Sequence, residues 1–366
     1  MKKSLIALAA LATTGAFAQS SVTLSGILDG GIVYSSNAAA GVSKFSLGQA
    51  NNNRLIFSGV EDLGGGLAGT FAAQIRFDPF SGTNERGNAG FITPSIPNDA
   101  NGTPVGTVAG VNYGRPLFQG ETRVGLRGAF GAIRIGRGLT ALQAPNGGVI
   151  DPWGVSTVAG SIYAPGYATD YVQGGEGRTD GIFYDTPNFS GLSGSLTYSP
   201  RKGKPGGKDF YSIAVNYANG PIVALVGYER NRFGDTLTNI GGNYNFGPAK
   251  LFLGYGRTKG GSFADRSGVA FLATAGNAPG LSYVAAGGKQ DAMSIGATVP
   301  MGAAKFLAGY SSFKADGGKR ENKLGLGVDY ALSKRTSAYS NIGSTTRSTA
   351  NTSRVNQFDL GVTHRF

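Results

Sequence analysis

Along most of the chain, apolar and polar residues take turns. From Leu67 to Phe77 the odd positions are Leu, Gly, Phe, Ala, Ile and Phe, and the even positions are Ala, Thr, Ala, Gln and Arg. Side chains on a strand point alternately to opposite faces, so this segment has one apolar and one polar face. It is longer than an ordinary globular strand and suits a tilted membrane-spanning one. The alternation recurs and predicts strands near residues 20–34, 53–60, 66–78, 121–128, 131–138, 180–186, 191–199 and 209–218. A second set is predicted near 221–231, 236–246, 249–259, 289–299, 303–313, 322–332, 335–343 and 354–366. No later segment approaches the run of about 18 apolar residues that a helical span needs, and none keeps a 3.6-residue period between paired caps. The chain reads as all-β.

The connections differ in length. Glu61–Gly65, Ala129–Gly131, Pro187–Ser190, Ala218–Gly220, Gly247–Pro248 and Pro300–Gly302 are tight turns rich in Gly, Pro, Asn and Asp. Long polar loops, at 79–120, 139–179, 199–208, 260–288 and 313–321, lie between them. Short turns on one side and long loops on the other predict a sixteen-stranded antiparallel transmembrane β-barrel. No linker or compositional break divides it. Tyr and Phe recur toward strand ends, among them Tyr34, Tyr198, Tyr217, Tyr228, Tyr244, Tyr255, Tyr310, Tyr330 and Tyr339, as aromatic girdles at the two membrane interfaces would require.

The first residues follow a different rule. Lys2 and Lys3, an apolar stretch from Leu5 to Leu11 and the sequence Ala16-Phe17-Ala18 make residues 1–18 a cleaved signal peptide, with the barrel occupying 19–366. Removing 18 of 366 residues leaves 348, and the formal charge falls from +12 to +10 with Lys2 and Lys3.

Composition narrows the chemistry. The chain has no Cys and one His, His364, two residues from its end, so cysteine metal sites, thiol catalysis and a histidine triad have no material. No cofactor, metal or catalytic residue is expected. The basic run at 201–208 lacks interleaved aromatics, which argues against nucleic acid.

If the apolar residues of each strand face lipid, the others face the lumen. Leu55 and Phe57 outward put Arg54 inward, and Ile75 and Phe77 put Arg76 inward. Val124 and Leu126 outward put Arg123, Arg127 and Glu121 inward, and Ile133 with Ile135 put Arg134 inward. Arginines on adjacent strands repel one another unless a field is wanted or counter-charges stand opposite.

Several segments resemble the general porins of Gram-negative outer membranes, particularly the neisserial and β-proteobacterial type. They are the opening at 21–26, RLIFSGVEDLGGGLAGTF at 54–71, VGLRGAFGAIRIGR at 124–137, FYDTPNFSGLSGSLTYS at 183–199, YNFGPAKLFLGY at 244–255 and FDLGVTHRF at 358–366. The resemblance implies a homotrimer of water-filled barrels in the cell outer membrane, each narrowed by a folded-in constriction loop. That loop would span about 138–179 and carries the only Trp, Trp153. It also implies that acidic loop residues, here Asp151, Asp170 and Glu176, face the basic wall, and that Arg178 joins the basic cluster. The terminal Phe366 would be the assembly signal by which the C-terminal strand engages the barrel-assembly machinery. Lipid and lipopolysaccharide are the expected surroundings, and the +10 charge with the basic wall predicts passive diffusion of small hydrophilic solutes and ions with a moderate anion preference. A substrate-specific channel and a surface adhesin are the alternatives.

Overall fold

A computed structural model describes residues 21–36, 44–80, 82, 117–118, 120–154, 157–160, 177–200, 208–231, 234–260, 288–316, 320–346 and 354–366. The strands are β1 (Ser21–Ser35), β2 (Phe45–Gly48), β3 (Arg54–Gly64), β4 (Leu67–Arg76), β5 (Thr122–Gly128), β6 (Gly131–Leu139), β7 (Arg178–Asp185), β8 (Leu192–Ser199) and β9 (Phe210–Asn219). They continue as β10 (Ile222–Arg230), β11 (Thr236–Asn245), β12 (Lys250–Lys259), β13 (Lys289–Met301), β14 (Ala304–Ala315), β15 (Glu321–Ala331), β16 (Thr336–Thr346) and β17 (Arg354–Arg365). Among the described residues one helix, α1 (Gln143–Ile150), lies in the long connection after β6. From β3 onward each strand pairs antiparallel with the next, β2 and β3 both pair with β1, and β1 closes the ring against β17 from Ile27↔Arg365 to Ser35↔Gln357.

The seventeen segments fill sixteen barrel positions, because β2 and β3 both pair with β1 and form one interrupted strand. The predicted strand beginning near 53 thus has a missed first part. The interruption has a local cause: the Asp29 carboxylate accepts the Ala50 N–H at 2.8 Å and the Asn51 amide at 2.9 Å, drawing this backbone off the ladder. Asn53 returns a bond to the Asp29 carbonyl at 3.0 Å. Two predicted turns are also shorter than expected. β3 runs through Gly64, leaving Gly65 and Gly66 at φ of +59° and +79° to make the reversal, and β13 continues through Pro300 to Met301.

Alternation sorts the side chains as the sequence pattern requires. Val124, Ile135, Val226, Ile240, Leu253, Ile295 and Leu326 stand exposed on the outside, while Gln74, Thr197, Ser212, Glu229, Asn239 and Asp359 are buried on the inside. Such an inside-out arrangement suits lipid outside and water within. Tyr198, Tyr217, Tyr244, Tyr255, Tyr310 and Tyr330 are exposed outer-face residues. Tyr339 departs from the expected girdle: it is buried on the lumenal face, where its hydroxyl donates to Asp29 at 2.9 Å. The chain end is tied to β1 by Gly26 N–H to the Phe366 carbonyl at 2.9 Å and Phe366 N–H to the Gly26 carbonyl at 3.2 Å.

Ile295 lies midway along β13 and Met301 at its end. Ile295→Lys is expected to cost about 2–4 kcal/mol in urea unfolding from bilayers, and Met301→Lys no more than about 1 kcal/mol, because the penalty falls from midplane to interface.

Candidate functional site: the lumen and its inward strap

The basic wall is built by four successive strands, β3 to β6. Arg54 and Arg76 stand directly opposite each other across the β3–β4 ladder, and Arg76 is almost wholly buried. On β5 and β6, Arg123 opposes Gly136 and Arg134 opposes Gly125, so the two guanidiniums are diagonal neighbours on the lumenal face. Phe183 of β7, opposite Arg134, lies under Arg123 with 5.1 Å between guanidinium carbon and ring centroid. Arg127 is exposed further along β5, near the turn to β6, at a position opposite Ala68 and Ala132.

Carboxylates temper this wall. Arg123 Nη2 bonds Glu121 Oε2 at 2.5 Å, the neutralisation that its neighbour on the lumenal face makes available. Arg134 pairs with Asp185 of β7, a partner the sequence pattern did not single out. Asp185 is on the inward phase of β7 with Phe183, which is the signal that would have found it. Among the described residues the Nε atoms of Arg123 and Arg134 are buried without a hydrogen-bond partner. Arg178 is buried opposite Leu139, in phase with the outward Ile182 and out of phase with Phe183. It sits beside Gly177, whose carbonyl accepts the Thr140 N–H at 2.9 Å where the inward connection meets the wall.

The connection after β6 turns inward and is fastened to the other side of the barrel. Ala141 N–H donates to Thr197 Oγ1 at 2.9 Å and Leu142 N–H to Ser212 Oγ at 3.1 Å, while the Thr140 hydroxyl donates to Glu229 at 2.7 Å. Further along, Asn243 donates to the Val149 carbonyl at 3.0 Å and Ser294 to the Ile150 carbonyl at 3.2 Å. Trp153 Nε1 donates to Asn341 at 2.8 Å, Val158 N–H to Asp359 at 3.1 Å, and the Lys323 ammonium to the Gly160 carbonyl. The wall residues in this series come from β8 through β17 and all lie on the lumenal phase.

Sockets in the wall receive the strap. Leu142, Val149 and Ile150 bury against Ala214, Leu225 and Leu237. A Cβ on Gly254 would lie 3.0 Å from Ile150 Cβ, and one on Gly309 would lie 2.7 Å from the Trp153 ring. Absence of a side chain at these two positions admits the strap. The helix α1 was not legible in QAPNGGVI, which holds Pro and two Gly and has no side-chain N-cap. It forms because its apolar ends are buried on the wall, a tertiary effect that outweighs propensity.

Asp151, expected to face the arginines, is buried at the end of α1, accepts the Trp153 N–H at 3.1 Å and has Lys323 as an electrostatic neighbour. Asp170 and Glu176 lie outside the described residues. Glu229, Lys323, Asn341 and Asp359, which hold the strap, were not singled out from sequence, although alternation alone puts each on the inward face.

A closed antiparallel barrel, apolar outside and polar within, defines a channel of the outer membrane. The profile described as Gram-negative porin matches residues 4–350, and the chain belongs to that family. It is 32% identical over 358 residues to outer membrane porin protein 32 of Delftia acidovorans, covering 93% of this chain and 89% of that one. With the major outer membrane protein P.IB of Neisseria lactamica it shares 26% identity over 348 residues, covering 94% and 93%. Among solved structures it superposes on an anion-selective porin from Comamonas acidovorans with a TM-score of 0.72 at 24% identity, covering 95% of this chain and all of that one. The protein is an outer-membrane porin, and its relatives are channels rather than enzymes.

Gly309→Val sets a branched side chain against the Trp153 ring. It is expected to cost about 1–3 kcal/mol by overpacking and to lower single-channel conductance as the strap moves toward the pore axis, measured by denaturant unfolding and in planar bilayers.

Proposed function

We propose that the pore passes small hydrophilic solutes and ions by diffusion and favours anions, with no catalytic step. The observation that carries this is the division of the lumen. The strap clads β8 to β17 and spends its polar groups there, while the arginines occupy the wall from β3 to β6. In a wide aqueous pore, selection comes from diameter and lining charge. Two unit charges 4 Å apart interact by about 1 kcal/mol in bulk water and about 4 kcal/mol at an effective dielectric constant near 20. On β5 and β6 the guanidiniums of Arg123, Arg127 and Arg134 outnumber the carboxylates of Glu121 and Asp185 and therefore concentrate anions near them. The strap supplies the opposite side of the constriction, and Asp151 serves it by holding structure at Lys323 rather than by presenting a free carboxylate to the pore. The anion selectivity named for the Comamonas acidovorans porin supports the same reading.

The wider setting follows the family resemblance. We propose that residues 1–18 are removed on export, that three barrels associate, and that the terminal strand with Phe366 is what the assembly machinery engages. Lipopolysaccharide surrounds the outer rim.

The reversal potential in a planar bilayer under a potassium chloride gradient tests the central point. The sign expected is that of chloride permeation, and Arg123→Gln with Arg134→Gln is expected to reduce the chloride-to-potassium permeability ratio several-fold. Preference in the wild type should shrink on going from 0.1 M to 1 M salt, as the Debye length falls from about 10 Å to about 3 Å. Cation permeation in the wild type would contradict the proposal.

A further inference from the structure

At the end of the lumen nearest the tight turns, charges follow one another in a set order. Asp62 of β3 stands opposite Ala68 of β4, and Ala68 stands opposite Arg127 of β5. Arg127 in turn opposes Ala132 of β6, and Ala132 opposes Asp185 of β7. All five lie on the inward phase, so one row around the wall reads negative, alanine, positive, alanine, negative. Neighbouring strands are about 4.8 Å apart, which sets each charged Cα roughly 10 Å from the next with only a methyl group between them. The row borders the turns after β3, β5 and β7, and the short turns of such barrels are periplasmic.

The charges of this row do not neutralise one another. Arg127 is exposed and, among the described residues, forms no ion pair, although a carboxylate stands two strands away on either side. Asp62 serves its own turn, where Oδ1 accepts the Gly64 N–H at 2.8 Å. Asp185 takes Arg134 through Oδ2, and its Oδ1 has no hydrogen-bond partner among the described residues. Arg127 and Asp185 border a recess of about 360 Å³ that Ala132, Gly66, Gly128 and Thr186 also line. Its size falls within the roughly 300–1,000 Å³ of small-molecule sites.

A chloride ion or a simple carboxylate meets only the Arg127 side of this recess and has Asp185 beside it as a like charge. A molecule that carries both signs satisfies both sides. We propose that the recess binds small zwitterions, the α-amino acids, with the carboxylate on the Arg127 guanidinium and the ammonium on Asp185 Oδ1. A planar guanidinium receives a carboxylate through two parallel N–H donors, and an ammonium donates to the open carboxylate oxygen. Such a solute has no net charge for the arginine field to attract, so the two fixed charges select it by orienting its dipole. Contact through an open recess leaves the solute free to depart, as passage through a pore requires. The site rests on the reading of the chain as a diffusion channel and adds a solute class that anion preference alone does not select.

Potassium chloride current through the full protein in planar bilayers at neutral pH tests the site, with L-alanine, propionate and lactamide as added probes. Propionate lacks the ammonium, and lactamide lacks both charges. L-Alanine is expected to reduce the current saturably and at lower concentration than propionate, whereas lactamide should act only through the conductivity of the solution. Arg127→Gln is expected to raise the half-blocking concentration of L-alanine about tenfold, the factor carried by one charge-assisted hydrogen bond. Ala132→Leu fills the recess with both charges in place. It is expected to raise that concentration by a similar factor while keeping the chloride sign of the reversal potential. Wild-type protein that passes no current would contradict the channel reading, whereas wild-type current that L-alanine leaves unaltered would overturn the site alone. Equal block by L-alanine and propionate would also overturn the proposal, as would unchanged block by L-alanine in either variant.

Discussion

A backbone crossing hydrocarbon finds no water for its N–H and C=O groups, and an open sheet edge there would leave a whole row of them unpaired. Closure of β1 onto β17 is the pairing on which everything else depends. It removes the edge, forces one phase of every strand toward lipid and the other toward an enclosed space, and so decides where each charge goes. The seam is reinforced from inside. Asp29 takes hydrogen bonds from Ala50, Asn51, Tyr339 and Thr363, joining β1 to residues on both of its neighbours and on β16. The break between β2 and β3 is a consequence of that network.

The enclosed space is then divided. Serine, threonine, asparagine, aspartate, glutamate and lysine side chains of the inward phase along β8–β17 hold a strap whose own backbone would otherwise sit unsatisfied in the barrel. Wall and strap thereby use up each other's polar groups. Across from them Arg123, Arg127 and Arg134 stand on the lumenal phase, with Glu121 and Asp185 as partial counter-charges. The asymmetry of charge is thus a result of where the strap is fastened, and selectivity and constriction have one structural origin.

Much of this was legible in the sequence because the barrel is a regular object. The period of two in Leu67–Phe77 states both the strand and its inward set, and from it the lumenal arginines of β3 to β6 follow directly. What escaped detection depends on contacts between distant segments. The helix in QAPNGGVI has poor propensity and exists through burial against Ala214, Leu225 and Leu237. Asp151 looked like a pore charge because a loop carboxylate is exposed by default, and only the packing of Trp153 and Lys323 shows it turned to the wall. Tyr339 carried the same composition signal as the girdle tyrosines, but its phase along β16 assigns it to the seam. Arg178 was placed by family resemblance, and it is buried at the start of β7, opposite Leu139.

The most direct measurement of the strap's position uses the absence of cysteine from the chain. Ile150 Cβ lies 3.0 Å from where a Cβ on Gly254 would stand, short of the roughly 3.5–4.5 Å span of a disulfide, so the strap must retreat by about half an ångström for the bond to close. In the variant Ile150→Cys/Gly254→Cys, mild oxidation of the folded barrel should close the bond and leave conductance and ion preference equal to those of the reduced channel. A folded barrel that forms no disulfide, or one whose pore is shut by it, would contradict a strap held against the far wall.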